Sequence, residues 1–348
     1  MIRNNFLRLF FLPIYFTFQL LVWLKNKLFD IGIFKSFTPQ IYTITVGNLA
    51  VGGTGKTPMV EYLTHLFIEK FNIAILSRGY GRNTKGFIHL NHNNNAKNVG
   101  DEPMQYFNKF FPKANVFVGE DRVASYQKIR QISPNTNLLL LDDAFQHRAI
   151  NAHCNIILTD YSNLIFNDLM MPFGHLREPI TSLDRAQILI ITKCPPDLTA
   201  SEAEEIKLKF SKYSKAFIEV FFAKIVFSKP VQFSGIEKML PTKLVLVAGI
   251  ANAESFIQYC DKNWEIVNQF IMADHQNYTL ENIKTIEQSI NENEAIITTE
   301  KDFVKLKGQF SPNVSAFYLP ISIEFLFNRE AHFSGIIKNE IDNFYRNI

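Results

Sequence analysis

Apolar residues along most of this chain fall in short β-rich runs separated by longer mixed segments. Ile41–Val46 and Ile73–Leu76 read as buried strands, followed by Val116–Val118, Leu138–Leu141, Asn155–Leu158 and Ile188–Thr192. Helical patterns alternate with them. One opens at Pro58, where proline suits the first turn. Asp101–Phe111 stops before Pro112, and Arg122–Ile132 is stopped by Pro134. Strands that are apolar on both faces, alternating with helices, predict a mostly parallel sheet covered on both sides.

The pattern shifts near residue 220. Phe217–Phe222, Lys224–Phe227 and Val231–Phe233 read as successive extended segments, a ribbon. A second alternating block follows. Its strands are Leu244–Ala248, Ala295–Thr298 and Phe317–Ile321, and its helices are Ala253–Tyr259, Leu280–Ile290 and Ile336–Phe344. Three segments result: an N-terminal helical segment over 1–40, an α/β core over 41–220 and a smaller α/β domain over 221–348.

The first segment breaks the pattern. Phe6–Leu24 is mostly apolar but contains Arg8, Pro13, Thr17 and Gln19, which makes it borderline for a spanning helix. Small residues for signal cleavage are missing, since the first alanine is Ala50. Tyr15, Trp23, Lys25 and Lys27 suit the interface of an anionic bilayer. The segment reads as a membrane-associated surface helix, with a helix packed on the protein's own core and a true span as alternatives.

Composition sharpens this division. The chain has 348 residues and 33 Phe, eight of them in residues 1–40, where an even spread would place about four. The net charge of +3 conceals +4 in that segment and −1 in the remainder. Such a body is no nucleic-acid binder, which would carry a basic bias. Cys154, Cys194 and Cys260 lie far apart with no C-x-x-C, so a reducing compartment fits.

The strand Ile41–Val46 runs into Gly47-Asn48-Leu49-Ala50-Val51-Gly52-Gly53-Thr54-Gly55-Lys56-Thr57-Pro58. This follows the phosphate-loop pattern G-x-x-x-x-G-K-[ST], with Ala50 at the first glycine place. Gly52, Gly53 and Gly55 let backbone N–H groups converge on phosphate oxygens, and the following helix adds its N-terminal dipole. Residues Ala50 to Thr57 therefore form the nucleotide cradle. Lys56 suits the β- and γ-phosphates, and Thr57 suits Mg²⁺. The second metal ligand should end a buried strand. Leu138-Leu139-Leu140-Leu141-Asp142-Asp143 fits, with Asp142 as the ligand and Asp143 orienting a neighbour. The guanine-reading pattern would be Thr192-Lys193-Cys194-Pro195, whose fourth place is proline, not a carboxylate. ATP is thus preferred over GTP.

The loop resembles that of the tetraacyldisaccharide 4'-kinases of lipid A biosynthesis. Six further blocks agree in order: Leu76–Arg82, Gly100–Pro103, Asp142–His147, Leu176–Pro179, Asp274-His275 with Tyr278, and Thr298–Asp302. The resemblance implies a P-loop NTPase-like fold with a second domain closing over the nucleotide. It implies ATP-dependent phosphorylation of the 4'-hydroxyl of an acylated disaccharide 1-phosphate, at the cytoplasmic face of the inner membrane, with no obligate protein partner. By position it implies Asp101 as the catalytic aspartate and His275 as its partner. Assigned to different domains, the two would make closure a condition of chemistry. Arg78, Arg82, Arg177, Glu178 and His147 stand in these blocks as candidates for substrate binding or support. Ala144 replaces a usual glycine, Gln276 a frequent histidine, and Pro172-Phe173-Gly174-His175 a proline-rich turn. The rival readings are a P-loop switch or targeting ATPase or GTPase, and a ligase-type ATPase that phosphorylates a carboxylate.

Overall fold

Leu138–Asp142, an unbroken apolar run up to its final acid, and Tyr42–Asn48, whose apolar residues alternate with buried Thr43 and Thr45, are buried at every position. They pair in parallel at the centre of a large, mostly parallel sheet. In the computed structural model, which describes residues 5–214, 218–237, 239–274 and 276–347 and side chains from residue 11 onward, the chain divides into two compact units. The first comprises 1–78, 112–225 and 323–348, and the second 79–111 and 226–322.

In the first unit the strand order is Ile321–Phe325, Glu219–Phe227, Ile188–Thr192, Cys154–Asp160, Tyr42–Asn48, Leu138–Asp142, Ile73–Ser77 and Ala114–Val118. The chain direction of strand addition reverses at Tyr42–Asn48, and open α/β sheets bind ligands outside the carboxyl ends at such a point. The ribbon expected near 220 is not formed. Glu219–Phe227 is one strand running parallel to Ile188–Thr192, with Phe221, Phe222 and Ala223 buried. Its apolar content serves the large sheet, and Val231–Ser234 goes to another. Phe217 lies outside the described residues.

The second unit carries a sheet ordered Glu265–Ile271, Lys243–Ala248, Glu294–Thr299, Ala316–Leu319 and Val231–Ser234, parallel except for the last pair. Glu265–Ile271 carries no unbroken apolar run, because it is a largely exposed edge strand. The contacts also redraw the expected boundaries of 41–220 and 221–348. Residues 79–111 belong with 226–322, and the C-terminal helix Glu330–Arg346 belongs with the first unit. A composition shift registers only the crossing near 225. The other crossings depend on packing between segments some 200 residues apart, such as the Lys109–Glu300 ion pair at 2.7 Å.

Asn5–Asp30 is a single helix of 26 residues. Tyr15, Phe18 and Val22, spaced three and four apart, pack on a buried cluster that includes Leu49, Phe145 and Leu176. Phe16, Leu20, Leu21 and Trp23 stay exposed. Two alternatives for this segment are therefore combined: one face lies on the protein's own core and the other is bare. Among the described residues no helix is long and apolar enough to cross a membrane.

Candidate active site

The register of the two central strands builds the site. Val46 pairs with Asp142, so the phosphate loop and the acidic pair leave the sheet side by side. Gly47 has no room for a side chain, because an added Cβ would stand 2.7 Å from Phe145 Cβ. Gly55 at φ +84° turns the chain into the helix Lys56–Phe67, whose first N–H groups are left for an anion. Thr54 is buried and braced twice. Its hydroxyl takes a hydrogen bond from Asn48 Nδ2 at 2.9 Å, and its carbonyl takes one from Thr192 Oγ1 at 2.9 Å. Ala50 forms an isolated bridge with Leu176, so this place serves as a short strand contact instead of the usual glycine turn.

Asp142 is 4% exposed and accepts a hydrogen bond from Ser77 Oγ at 3.0 Å. Asp143 stands at φ +48°, and its N–H bonds Val46 O at 2.9 Å. Its carboxylate faces Lys56 Nζ at 3.9 Å and Arg177 at 2.8 and 3.3 Å. Burial pushes the Asp143 carboxyl up. Lys56 and Arg177 outweigh it and hold the group below the usual carboxylate range. Arg177 also donates to the backbone and side-chain oxygens of Asn48. It therefore braces the acidic pair against the loop. Glu178, 2% exposed, pairs with Arg185, whose guanidinium also lies 4.1 Å from the Phe145 ring centroid. Glu178 is a supporting residue of the same wall.

Two residues not singled out in the sequence complete this set. Arg122 is 2% exposed, bonds the Gly119 carbonyl at 2.5 Å and reaches Asp142 O at 3.4 Å. Burial lowers its pKa to about 10, against the pull of Asp142. It is a fixed cation behind the acidic pair. Its sequence signal was slight: an arginine opening a helix after Gly119-Glu120-Asp121 reads as a surface residue. Asn48 is the second, joined to Thr54, Arg177 and Gln146. His147 is half-buried, and its Nε2 has no hydrogen-bond partner among the described residues. Burial, then Arg122, lowers its pKa. Arg78 is exposed and lies near enough to Arg122 and His147 to act on both electrostatically.

The donors suit Mg²⁺. Thr57 offers a hydroxyl on the first turn and Asp142 a buried carboxylate, both hard oxygens. No group of three or more His, Cys, Asp or Glu able to hold a metal occurs among the described residues.

Asp101 belongs to the second unit. It opens the helix Asp101–Phe110 after Gly100, at φ +97°, which abuts Gly79 so closely that an added Cβ would stand 3.1 Å from it. Its carboxylate pairs with Lys305 Nζ at 3.1 Å, and the lysine side chain is only 5% exposed. Lys305 also lies 4.0 Å from Asp302, a fully buried acid that accepts from Gly249 N at 2.8 Å and Thr299 Oγ1 at 2.6 Å. Burial, then Asp302 and Asp101, pushes the Tyr278 phenol up, so it stays protonated. Lys305 is another residue missed in the sequence, although it stands one turn beyond the Thr298–Asp302 block. Arg82 Nη2 donates to Gly86 O at 2.6 Å and closes the turn after Gly79. His275 lies outside the described residues. Asp101 itself falls with 226–322 in the second unit, not with 41–220 as expected.

Comparison with known proteins converges on one chemistry. The profile of the family described as tetraacyldisaccharide-1-P 4'-kinase matches residues 7–342. A tetraacyldisaccharide 4'-kinase of Flavobacterium psychrophilum is 39% identical over 344 residues, covering 97% of this chain and 98% of its own length. One from Flavobacterium johnsoniae is 38% identical over 336 residues, 94% of this chain and 96% of its own. The crystal structure of LpxK from Aquifex aeolicus in complex with ATP superposes with a TM-score of 0.73 at 26% identity, covering 96% of this chain and 99% of that one.

Proposed function

The chain belongs to the tetraacyldisaccharide 4'-kinase family, and from that premise we propose how its own residues carry the reaction. It is a kinase that uses ATP to phosphorylate the 4'-hydroxyl of a tetraacyldisaccharide 1-phosphate in lipid A biosynthesis. A P-loop switch without a lipid substrate is not favoured by a family match spanning 7–342.

The observation that supports the site assignment best is the Val46–Asp142 register, which sets phosphate loop and acidic pair at neighbouring strand ends. The transferring phosphoryl group is strongly anionic, and a sugar hydroxyl is a poor nucleophile. Positioning and charge neutralisation therefore carry most of the catalysis. The N–H groups of Gly52, Gly53, Gly55, Lys56 and Thr57 cradle the triphosphate, within the 50–57 loop. Lys56, aimed by Asp143, neutralises the β- and γ-oxygens. Thr57 and Asp142 would hold Mg²⁺, which would supply charge neutralisation there. Asp101 accepts the proton of the acceptor hydroxyl, steadied by Lys305 and oriented or tuned by His275. Exposed Arg78 offers a fork for an anionic phosphate, and Arg82, Arg177, Glu178 and His147 support these groups. The bare face of Asn5–Asp30 meets the cytoplasmic surface of the inner membrane without spanning it.

The test is transfer of radiolabelled γ-phosphate from ATP to a lipid A precursor. Asp101→Ala and His275→Ala should each lower kcat by about 10²–10⁴-fold, the range of general-base catalysis, while Mg-ATP still binds. Wild-type turnover in both would remove the acid–base assignment. Release of phosphate to water alone would favour a switch NTPase.

A further inference from the structure

The N-terminal helix does more than present an apolar face. Tyr15, on its inward side, stacks on Phe173 with ring centroids 4.6 Å apart and planes 25° from parallel. Phe173 is 7% exposed and sits in the turn before His175. That turn is sewn to the phosphate loop. Val51 N donates to His175 O at 2.9 Å, Arg177 N donates to Leu49 O at 2.7 Å, and Ala50 bridges Leu176. Asp168 stiffens the turn from behind, accepting from the Leu169 and His175 N–H groups and pairing with His175 Nδ1 at 2.9 Å. Ten residues on, the helix is tied to the other flank of the loop. Lys25 Nζ donates to Gln146 O at 2.9 Å, and Gln146 Nε2 donates to Asn48 O at 2.8 Å.

Helix, turn and acidic block thus hold Asn48–Val51 from both sides. These are the residues where the loop lacks its usual first glycine, so the backbone path there depends on outside support. We propose that Tyr15 and Phe173 are positioning residues for the phosphate loop, through which the N-terminal helix sets how tightly the chain holds ATP. The proposal rests on the assignment of 50–57 to ATP, and it makes the helix part of the nucleotide site as well as a lipid-facing surface.

The experiment measures MgATP KM and kcat with detergent-dispersed lipid acceptor, together with direct binding of a fluorescent ATP analogue. Tyr15→Ala and Phe173→Ala should each raise the ATP KM by about two- to tenfold, the span of one aromatic pair, with little change in kcat. The double variant should exceed neither single, because both remove one contact. Tyr15→Phe, which keeps the ring, should restore the wild-type KM. Phe173→Leu, which keeps most of the buried volume, should raise KM while leaving Tm near wild type. An unchanged ATP KM in Tyr15→Ala and Phe173→Leu would overturn the proposal, as would additive rises that Tyr15→Phe does not rescue. If the wild-type chain bound no ATP analogue, the assignment of the loop itself would fall instead.

Discussion

Asp143 occupies a left-handed backbone conformation, φ +48°, that costs energy in any residue with a side chain. The compensation is local: its N–H reaches Val46 O, and its carboxylate faces Lys56 and Arg177. Asparagine tolerates that conformation and alanine does not. Asp143→Asn should therefore keep the fold and lose about tenfold or more in kcat, since hydrogen bonds to charged groups contribute about 1.5–3 kcal/mol. Asp143→Ala should in addition lower the urea midpoint. Two histidines give a pH signature. Burial lowers the pKa of His147 and of His153, and His153 Nδ1 accepts from Thr43 N at 3.1 Å, which requires a neutral ring. Unfolded histidine takes a proton near pH 6.5. Stability is thus full above about 6.5 and is lost as pH falls through the lower folded-state values. The urea midpoint should drop between pH 7 and 5, and His153→Gln should flatten the drop. A midpoint that rises on acidification contradicts this. Arg122 marks the limit of reading at this scale. Nothing beside it in the chain distinguishes a buried cation from a helix-opening surface arginine, because its partner Asp142 is 20 residues away.

At the scale of elements, what the sequence made legible follows burial. Strands buried on both faces, such as Leu138–Asp142, announce themselves as unbroken apolar runs. Glu265–Ile271 does not, because largely exposed edge positions carry no such run. The helix Ala200–Phe210 carries a local signal of its own, the capping box of Thr199 with Glu202. The N-terminal helix reads as membrane-associated from its aromatic and basic residues, but which face is bare depends on a cluster built from residues more than 20 positions further along the chain, such as Leu49 and Phe145. Its two faces predict two separable losses. Deleting residues 1–28 should reduce partitioning into anionic liposomes, read by flotation of the truncated chain, and lipid turnover, read by transfer of labelled γ-phosphate. Partitioning equal to that of the full chain would refute the lipid-facing role.

At the scale of the whole molecule, the least legible feature was which segments belong together. Sheet order can be argued from alternation, but the assignment of 79–111 and 323–348 rests on contacts between distant parts of the chain. The helix Glu330–Arg346 buries Phe333, Ile337 and Ile341 in the first unit, where Tyr42 OH also reaches Glu340 at 2.6 Å. Phe333→Ala should cost about 3–5 kcal/mol, read as a fall in the denaturant midpoint. A change within about 0.5 kcal/mol, the size of a surface substitution, would mean that this helix packs elsewhere.

That return has a temporal side. A chain emerges from the ribosome at roughly 5–20 residues per second, and the first unit needs residues 323–348 to be complete. Its phosphate loop is made almost 300 residues earlier. During that interval, of order half a minute, the aromatic N-terminal helix is outside the tunnel while the domain it will dock on lacks its last helix. Until the chain past residue 322 arrives, Tyr15, Phe18 and Val22 meet a cluster that still lacks Leu326, and the inner face of the helix waits on the last part of the chain to be made.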